Sequence, residues 1–487
     1  MHSEIIGRRA WVGLGVLTLP VFLVAMDFSV LYLAMPTISH ALLPSPMQQL
    51  WILDVYGFLI AGLLITMGNL GDRIGRRRIL LGGAGLFGAA SVAAAFAPSA
   101  GFLIAARALM GIGGATLLPA TLSLIANMFP AAADRARAIG IWTAAFAGGA
   151  AVGPVIGGVL LHHFWWGVVF LINVPVVAAL FVLAPFVLPE FRVRSTHPFD
   201  LLGVALSLLG LLPLVYAVKD VAATGLSAPA VALGLFGAVM LVLFLLHQRR
   251  APAPLVNLRL FASATFTACI AIAGVGMMAQ GGMAYLTNIF LQTVQGYDVL
   301  AAALAGLPLA LTLATASVGA ARVARWMGVR RALTLSLLLA AVGNLGLLSL
   351  GVTSPIWIYL VLTAIAGVGY GIQFALVSDV VVGSVPPEHS GAASGISETS
   401  FELGTALGLA LFGSLATAVF FAKGAGRFTG SLGETLDEAA ELGRSGADLA
   451  LAAKEAFVAG MHAAALAGGL CLLILSVVVA FVMRDRP

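Results

Sequence analysis

Charge is what this chain lacks most. Only 9% of its 487 residues are Asp, Glu, Lys or Arg, against about a quarter in a soluble globular domain. Windows without any of the four cover 79–106, 108–133, 138–189, 201–218, 221–248, 260–297, 332–378 and 456–483. With 61% hydrophobic residues and a mean hydropathy of +1.07, the chain reads as a polytopic membrane protein.

Other absences narrow the choice. The ~10-residue alternation of a membrane β-barrel is missing, and lipid admits only helices or closed barrels, so the expected fold class is all-α. There are two cysteines, Cys269 and Cys471, far apart in apolar runs, which argues against a disulfide framework or a thiol metal site. His162 and His163 have no carboxylate at ligand spacing and read as an interfacial pair, with no metal. No nucleophile–base constellation is present, so an enzyme is not expected. The pI near 9.5 comes from loop arginines rather than a nucleic-acid surface. Arg8 and Arg9 precede the first apolar run without a small-residue cleavage site, and read as an anchor rather than an export signal.

What is there is apolar length. At ~20 residues per crossing, the sequence predicts fourteen spans. The first eight fall near 11–33, 50–70, 79–98, 101–128, 137–160, 167–188, 199–218 and 229–247. The other six fall near 263–285, 299–320, 331–351, 356–382, 391–420 and 457–483. Placing the N-terminus in the cytoplasm puts 19 of the 25 Lys and Arg residues in inside segments and five outside, with Arg107 alone within a span. The positive-inside rule therefore predicts two cytoplasmic termini. The segment 421–456, with six acids among alanines and leucines, predicts an extracytoplasmic loop carrying an amphipathic helix.

The stretch GNLGDRIGRRRIL (68–80) holds Asp72, four arginines and three glycines between two apolar spans, so it must be a tight loop at a membrane face. A weaker copy, ARVARWMGVRRAL (321–333), keeps the third glycine (Gly75, Gly328) and the arginine pair but puts Arg325 where Asp72 stands. This repeat predicts two related six-helix bundles. The expected organisation is a first bundle over 1–190, a linker with an inserted helix pair over 191–260, and a second bundle over 261–487.

Charges inside spans are costly, by at least ~2.5–3.5 kcal/mol at mid-membrane. Arg107, in LIAARALMGIGGA, therefore needs an acid or carbonyl partner. Asp27 in span 1, Asp54 in span 2, and Glu398 and Glu402 in span 13 are candidate proton and cation sites. Carboxyls deprived of water can exchange a proton for a cation near neutral pH, and the i,i+4 spacing puts the two glutamates on one helix face. Asp298 and Asp379 read as structural. Met26, Phe28, Tyr32, Trp51, Tyr56, Trp142, Tyr285, Tyr370 and Phe374 could line an adaptable greasy cavity, with Gln280, Asn288 and Gln373 as polar candidates, since aromatic faces bind cations and methionine accepts varied shapes. In GGAAVGPVIGG, small residues allow close helix contact and Pro154 interrupts backbone bonding.

Together, MDFSVLYLAMPTI, LWILDVYGFLIAG, GNLGDRIGRRRIL, RALMGIGGATLLPATLS, GGAAVGPVIGG, FLINVP and ETSFELG resemble the fourteen-helix drug:proton antiporter family of the major facilitator superfamily. Within it the chain looks most like the quaternary ammonium and viologen exporters of the SmvA and QacA type. The resemblance spans about residues 14–483 and implies a major facilitator fold: two six-helix bundles plus an inserted pair. It also implies proton-driven efflux of lipophilic cations, of quaternary ammonium, biguanide, viologen or dye type, by alternating access across the bacterial inner membrane. No cofactor beyond the proton gradient is implied, and a monomer is expected. By that resemblance Gly68, Asp72, Arg73, Gly75 and Arg76 form a conformational latch. Arg107 is tied to proton coupling with Asp27, Asp54, Glu398 and Glu402. Gly149, Gly153, Pro154, Gly157 and Gly158 form the antiporter motif, a hinge and seal. Some relatives carry a further acid in span 10 that this chain lacks. The alternative transport reading is a facilitator-type exporter of a neutral or anionic metabolite.

Overall fold

The computed structural model describes residues 2–192, 199–224, 227–252, 254–428, 430–442 and 446–483. Arg194, Arg444, Arg484 and Arg486, and the side chains of Tyr32 and Lys219, lie outside the described residues. Among those described, every regular element is helical, and fourteen helices are long and apolar enough to cross a membrane. α1 is His2–Leu42, α2 Pro46–Ile74, α3 Arg76–Ala95 and α4 Ala100–Met128. α5 is Ala132–His163, α6 Val168–Val187 with a turn at Ile172, α7 Leu201–Thr224 and α8 Ala228–Gln248. α9 is Ala264–Ile289, α10 Leu307–Met327 and α11 Val329–Gly346. α12 is Ile356–Gly383, α13 Ser390–Gly424 and α14 Ala447–Val482.

Local chemistry sets several ends. Ser45 and Gln48 form a reciprocal capping box at the start of α2, satisfying two amides that the helix leaves open. α2 stops at Gly75, whose φ of 115° lets α3 begin at once in a new direction. Gly328, at φ 86°, makes the same stop between α10 and α11. Only glycine takes such angles without a Cβ penalty, which is why both copies of the 68–80 pattern keep it.

The repeat is far stronger in the contacts than in the sequence. α1 packs on α5, and α4 on both α2 and α3; α9 packs on α13, and α12 on both α10 and α11. A methyl added at Gly149 of α5 would fall 2.3 Å from the Phe22 carbonyl oxygen, and one at Gly404 of α13 would fall 2.2 Å from that of Gly274. Gly113 meets the Gly83 carbonyl and the Phe87 amide, while Gly369 meets the Ser336 carbonyl and the Ala340 amide. The two sets of neighbours match residue for residue. The contacts between the sets pair the same way. Gly140 of α5 presses on the Ser317 carbonyl of α10, and Gly395 of α13 on the Leu64 carbonyl of α2.

The inserted helices α7 and α8 pack on each other, and α7 rests against α2 and α13. Phe58, Val215 and Ala406 form a small buried cluster there. The expected long loop 421–456 is shorter than its polarity suggested. α13 runs on to Gly424, a short helix Leu432–Glu441 opens with a Ser431/Glu434 capping box, and α14 already begins at Ala447. α1 likewise extends well past its apolar stretch.

Candidate functional site

Asp72 ends α2 buried, and its carboxylate serves both halves of the repeat. It accepts from Arg76 Nε at 2.9 Å, and across the junction from the backbone amides of Gly391 at 3.3 Å and Ala392 at 3.2 Å. Those amides open α13, where a helix leaves its N–H groups unsatisfied and favours negative charge. Arg76 continues across, donating to the carbonyls of Ser123 and Pro387. Nearby, Ser123 Oγ and Ser390 Oγ share a hydrogen bond of 2.9 Å. On the other side of the pseudo-symmetry Arg135 Nε donates to Asp379 Oδ1 at 2.8 Å, and Ser317 Oγ donates to the Gly140 carbonyl. The face that carries the 68–80 turn is therefore shut by contacts between α2 and α13 and between α5 and α10.

The turn is also clasped from outside. Glu190 accepts from the Arg77 amide at 3.1 Å and lies near the guanidinium groups of Arg77 and Arg78. Arg192 Nε donates to the Arg73 carbonyl, the Arg73 guanidinium sits 5.2 Å from the Phe199 ring, and Asn69 donates to the Leu255 carbonyl. Asp200, at the start of α7, bonds His247 Nε2 at 2.7 Å and accepts from Gln248 Nε2 at 2.9 Å and the Gly203 amide at 2.8 Å. Gln248 in turn accepts from the Val256 amide. Burial would raise the Asp200 carboxyl, but the hydrogen bonds outweigh it and hold the group below the ordinary aspartate range. The segments on either side of α7 and α8 thus grip the turn.

Arg107 is wholly buried in α4 and finds the acid partner that its cost demands. It pairs with Asp27 of α1, donates to the Ile52 carbonyl, and places its guanidinium 4.4 Å from the centre of the Tyr56 ring. Asn173 of α6 donates to Asp27 at 3.4 Å and to Ser91 of α3 at 3.1 Å. Five helices of the first half meet in this network. The second half does not repeat it: the matching positions, read from the paired glycines, are Thr363 and Ala279.

Glu398 lies at the α13 position that corresponds to Thr143 of α5. Both are buried, and Glu398 Oε1 and Thr143 Oγ1 have no hydrogen-bond partner among the described residues. Gln373 Oε1 of α12 shares that state. Buried polar atoms are nearly always paired, so Glu398 Oε1 is left open to a proton or a ligand. Glu402, half-buried one turn along, lies within electrostatic reach of Glu398 and of Tyr56. Beside them runs an aromatic stack across the junction. Phe374 of α12 lies on Phe401 of α13 with centroids 4.2 Å apart and planes 4° apart, and Phe146 of α5 follows at 5.9 Å. Trp142 flanks Phe374 at 6.3 Å and donates to Thr121 Oγ1.

The structure thus brings together Trp142, Phe374 and Phe401, with Glu398 and Glu402 on the helix that carries Phe401, and, in the first bundle, Asp27, Arg107 and Tyr56; Gln373 instead donates to the Ile272 carbonyl of α9. Phe28 packs edge-on against Tyr56, and Met26 is buried in the same bundle. Other candidates go elsewhere. Trp51 stacks on Tyr216 of the inserted α7. Tyr370 is hydrogen-bonded to Asn344 of α11 inside the second bundle. Tyr285 is about half exposed, Asn288 bonds Gln292 at the end of α9, and Asp54 and Gln280 are half-buried. Gly149, Gly153 and Gly157 meet α1 closely, Gly158 touches Leu33 more loosely, and α5 continues unbroken through Pro154. Asp298 caps Val299–Ala305 as a structural acid, whereas Asp379 proves to be half of a junction ion pair. Sequence reasoning also missed Arg135, Phe146, Phe401, Thr143 and Asn173. Phe401, between the two glutamates in ETSFELG, and Asn173, in FLINVP, were the ones with a visible signal.

Fourteen crossing helices, an internal repeat closed at one face and a polar, aromatic junction between its copies define a multi-pass membrane carrier. The comparisons make the class specific. The Major Facilitator Superfamily profile matches residues 17–409. The multidrug efflux pump LfrA of Mycolicibacterium smegmatis is 43% identical over 85% of this chain and 82% of its own length. The methyl viologen resistance protein SmvA of Salmonella typhimurium is 34% identical over 96% and 97% respectively. Among solved structures, the human organic anion transporter MFSD10 aligns with a TM-score of 0.61 at 17% identity, over 96% of this chain and 99% of its own. A bacterial homologue of the lysosomal transporter Spinster aligns at 0.59 and 18%, over 98% and 99%. The chain belongs to the Major Facilitator Superfamily. It is a membrane transporter, not an enzyme, and its relatives agree with the resemblance read from its motifs.

Proposed function

We propose that this transporter is a proton-coupled antiporter that exports lipophilic cations by alternating access. The observation that carries this reading is Glu398, buried and unsatisfied beside the Phe374–Phe401 stack, with Glu402 one turn away. A cation gains from both a carboxylate and an aromatic face, and a buried carboxyl can instead take a proton. Substrate and proton then compete for Glu398 and Glu402, while Asp27, Arg107 and Asp54 relay the protonation state to the first bundle. The names of the relatives, multidrug efflux and methyl viologen resistance, support the cationic cargo.

In this reading residues 1–190 and 261–487 are the two moving bundles and 191–260 carries the inserted pair. Gly68, Asp72, Arg73, Gly75 and Arg76 latch the bundles shut, and the glycines of α5 seal α5 to α1. The turn face and both termini are cytoplasmic in a bacterial inner membrane, the protein works as a monomer, and the proton gradient is the only drive. The test is uptake of a fluorescent lipophilic cation into inverted vesicles. A proton gradient should drive it, and Glu398→Gln should lower it at least tenfold. Uptake that ignores the gradient in the parent would overturn the coupling. Cation binding to purified protein that is unchanged by Glu398→Gln would overturn the site.

A further inference from the structure

Tyr56 of α2 is wholly buried, and its hydroxyl has no hydrogen-bond partner among the described residues. The ring is fully used: the Arg107 guanidinium lies over its face at 4.4 Å, and Phe28 and Phe87 meet it edge-on at 4.7 and 6.1 Å. Phenylalanine would make each of those contacts without burying an unpaired hydroxyl, which costs free energy. The hydroxyl therefore has a use that packing does not supply.

The ionisable groups around it come from three other helices. Asp27 of α1, Arg107 of α4 and Glu402 of α13 all act on it electrostatically. Asp54 stands two residues back on α2 itself, and α3 offers only the Phe87 ring. The backbone register agrees, since α2 packs on both α4 and α13. α13 runs against α2 with Gly391 on Gly68 and Gly395 on Leu64 and Ile65; continued antiparallel, that register sets Glu402 level with Gly57 and Phe58. Phe58 and Ala406 do share a buried cluster, with Leu403 packed against it. Tyr56 thus stands between the acids of the second bundle and the ion pair of the first. The repeat does not copy it. The position matched through the Gly75 and Gly328 turns is Leu309, in the half whose counterparts of Arg107 and Asp27 are Thr363 and Ala279.

We propose, resting on the antiport reading above, that the Tyr56 hydroxyl relays a proton between Glu402 and Asp27. A hydroxyl both donates and accepts. Its oxygen takes the proton that a protonated Glu402 gives up, directly or over one bridging water, while its own proton passes to the Asp27 carboxylate. The tyrosine ends neutral, one O–H bond is made for each one broken, and one proton has moved from the second bundle to the first. Asp27, so neutralised, loses its charge attraction for Arg107, which loosens α1 from α4. The proton site and the first bundle are then coupled by a single side chain on the helix that touches both.

The test uses the full chain in proteoliposomes, with ethidium as the probe and Tyr56→Phe beside the parent. Two rates are read. Uptake driven by a proton gradient needs the relay; exchange of internal for external ethidium at equal pH moves no net proton and does not. A positioned proton-transfer group contributes about a hundredfold or more, so Tyr56→Phe should lower gradient-driven uptake by at least about tenfold. Its exchange rate, ethidium affinity and melting temperature should stay close to the parent's, because the ring is kept. Gradient-driven uptake that survives Tyr56→Phe would overturn the relay alone, since the parent's coupling would stand. Equal loss of uptake and exchange would overturn it too, by making the hydroxyl a packing or substrate contact. A parent whose uptake ignores the gradient would instead overturn the antiport reading, and the relay with it.

Discussion

Arg135 and Asp379 form an ion pair of 2.8 Å at the place where the repeat sets Ser390 and Ser123, which share a hydroxyl bond of 2.9 Å. The same two positions close both sides of the turn face, once with charge and once without. The uncharged side is reinforced by Asp72 and Arg76, whose second-half counterparts are Arg325 and Val329. Each side therefore has one buried or half-buried carboxylate, supplied from a different helix.

Locking that face should stop transport. With Cys269 and Cys471 replaced by alanine, Ser123→Cys and Ser390→Cys should form a disulfide that blocks substrate efflux, and reductant should restore it. Adding Arg135→Gln should lower the cross-linking yield severalfold, because the junction would open more often. Full activity of the cross-linked protein would show that the contact does not need to open.

The Arg107–Asp27 pair should behave as a buried ion pair. Removing one partner leaves an uncompensated charge and costs about 3–5 kcal/mol, so Arg107→Ala should lower the detergent melting temperature strongly. Neutralising both, as Asp27→Asn with Arg107→Gln, should recover much of that stability without recovering transport. Thermal melts read the first outcome and vesicle uptake the second.

The clasp at Asp200 gives a pH dependence of known sign. Because hydrogen bonding holds its carboxyl below the ordinary aspartate value, its stabilisation is fully present above that value, near 3.9. It is lost as pH falls from there through the lowered folded-state value. Melting curves from about pH 6 to about pH 3 should show an acid-side loss in the parent that is smaller in Asp200→Asn.

The repeat predicts matched damage. Gly149→Val and Gly404→Val each drive a Cβ to within 2.3 Å of a carbonyl oxygen, and overpacking costs typically about 1–3 kcal/mol. Both variants should lose comparable stability in melts, one by parting α1 from α5 and the other α9 from α13. A large loss at only one of them would show that the two contacts are not equivalent.

Hydropathy made the fourteen spans legible because a bilayer leaves so few alternatives, and the cost of a buried guanidinium made a partner for Arg107 foreseeable. The ends of α1, α13 and α14 were less legible, since helices continue past the apolar stretch on local bonding alone. Trp51, Tyr370 and Phe374 look alike in sequence, yet one meets α7, one meets α11 and one faces the junction. Rotation about a helix axis is set by neighbours distant in the chain. For the same reason Arg135 and Asp379 gave no sign of each other. The repeat was faint in sequence because its conserved content is backbone proximity, which any small residue can satisfy.

The grip of residues 190–192, 199 and 255 on the 68–80 turn bears on how such a chain could be shortened. Topology alone permits excision of α7 and α8: an even number of crossings is removed, and the orientation of every later helix survives. The contacts do not permit it so freely. A twelve-helix derivative joined across 191–260 would keep both six-helix bundles yet lose the Phe199 platform under Arg73 and the carbonyl that receives Asn69. The segments that flank the inserted pair, accessory in the connectivity diagram, are part of the bearing on which the turn is mounted.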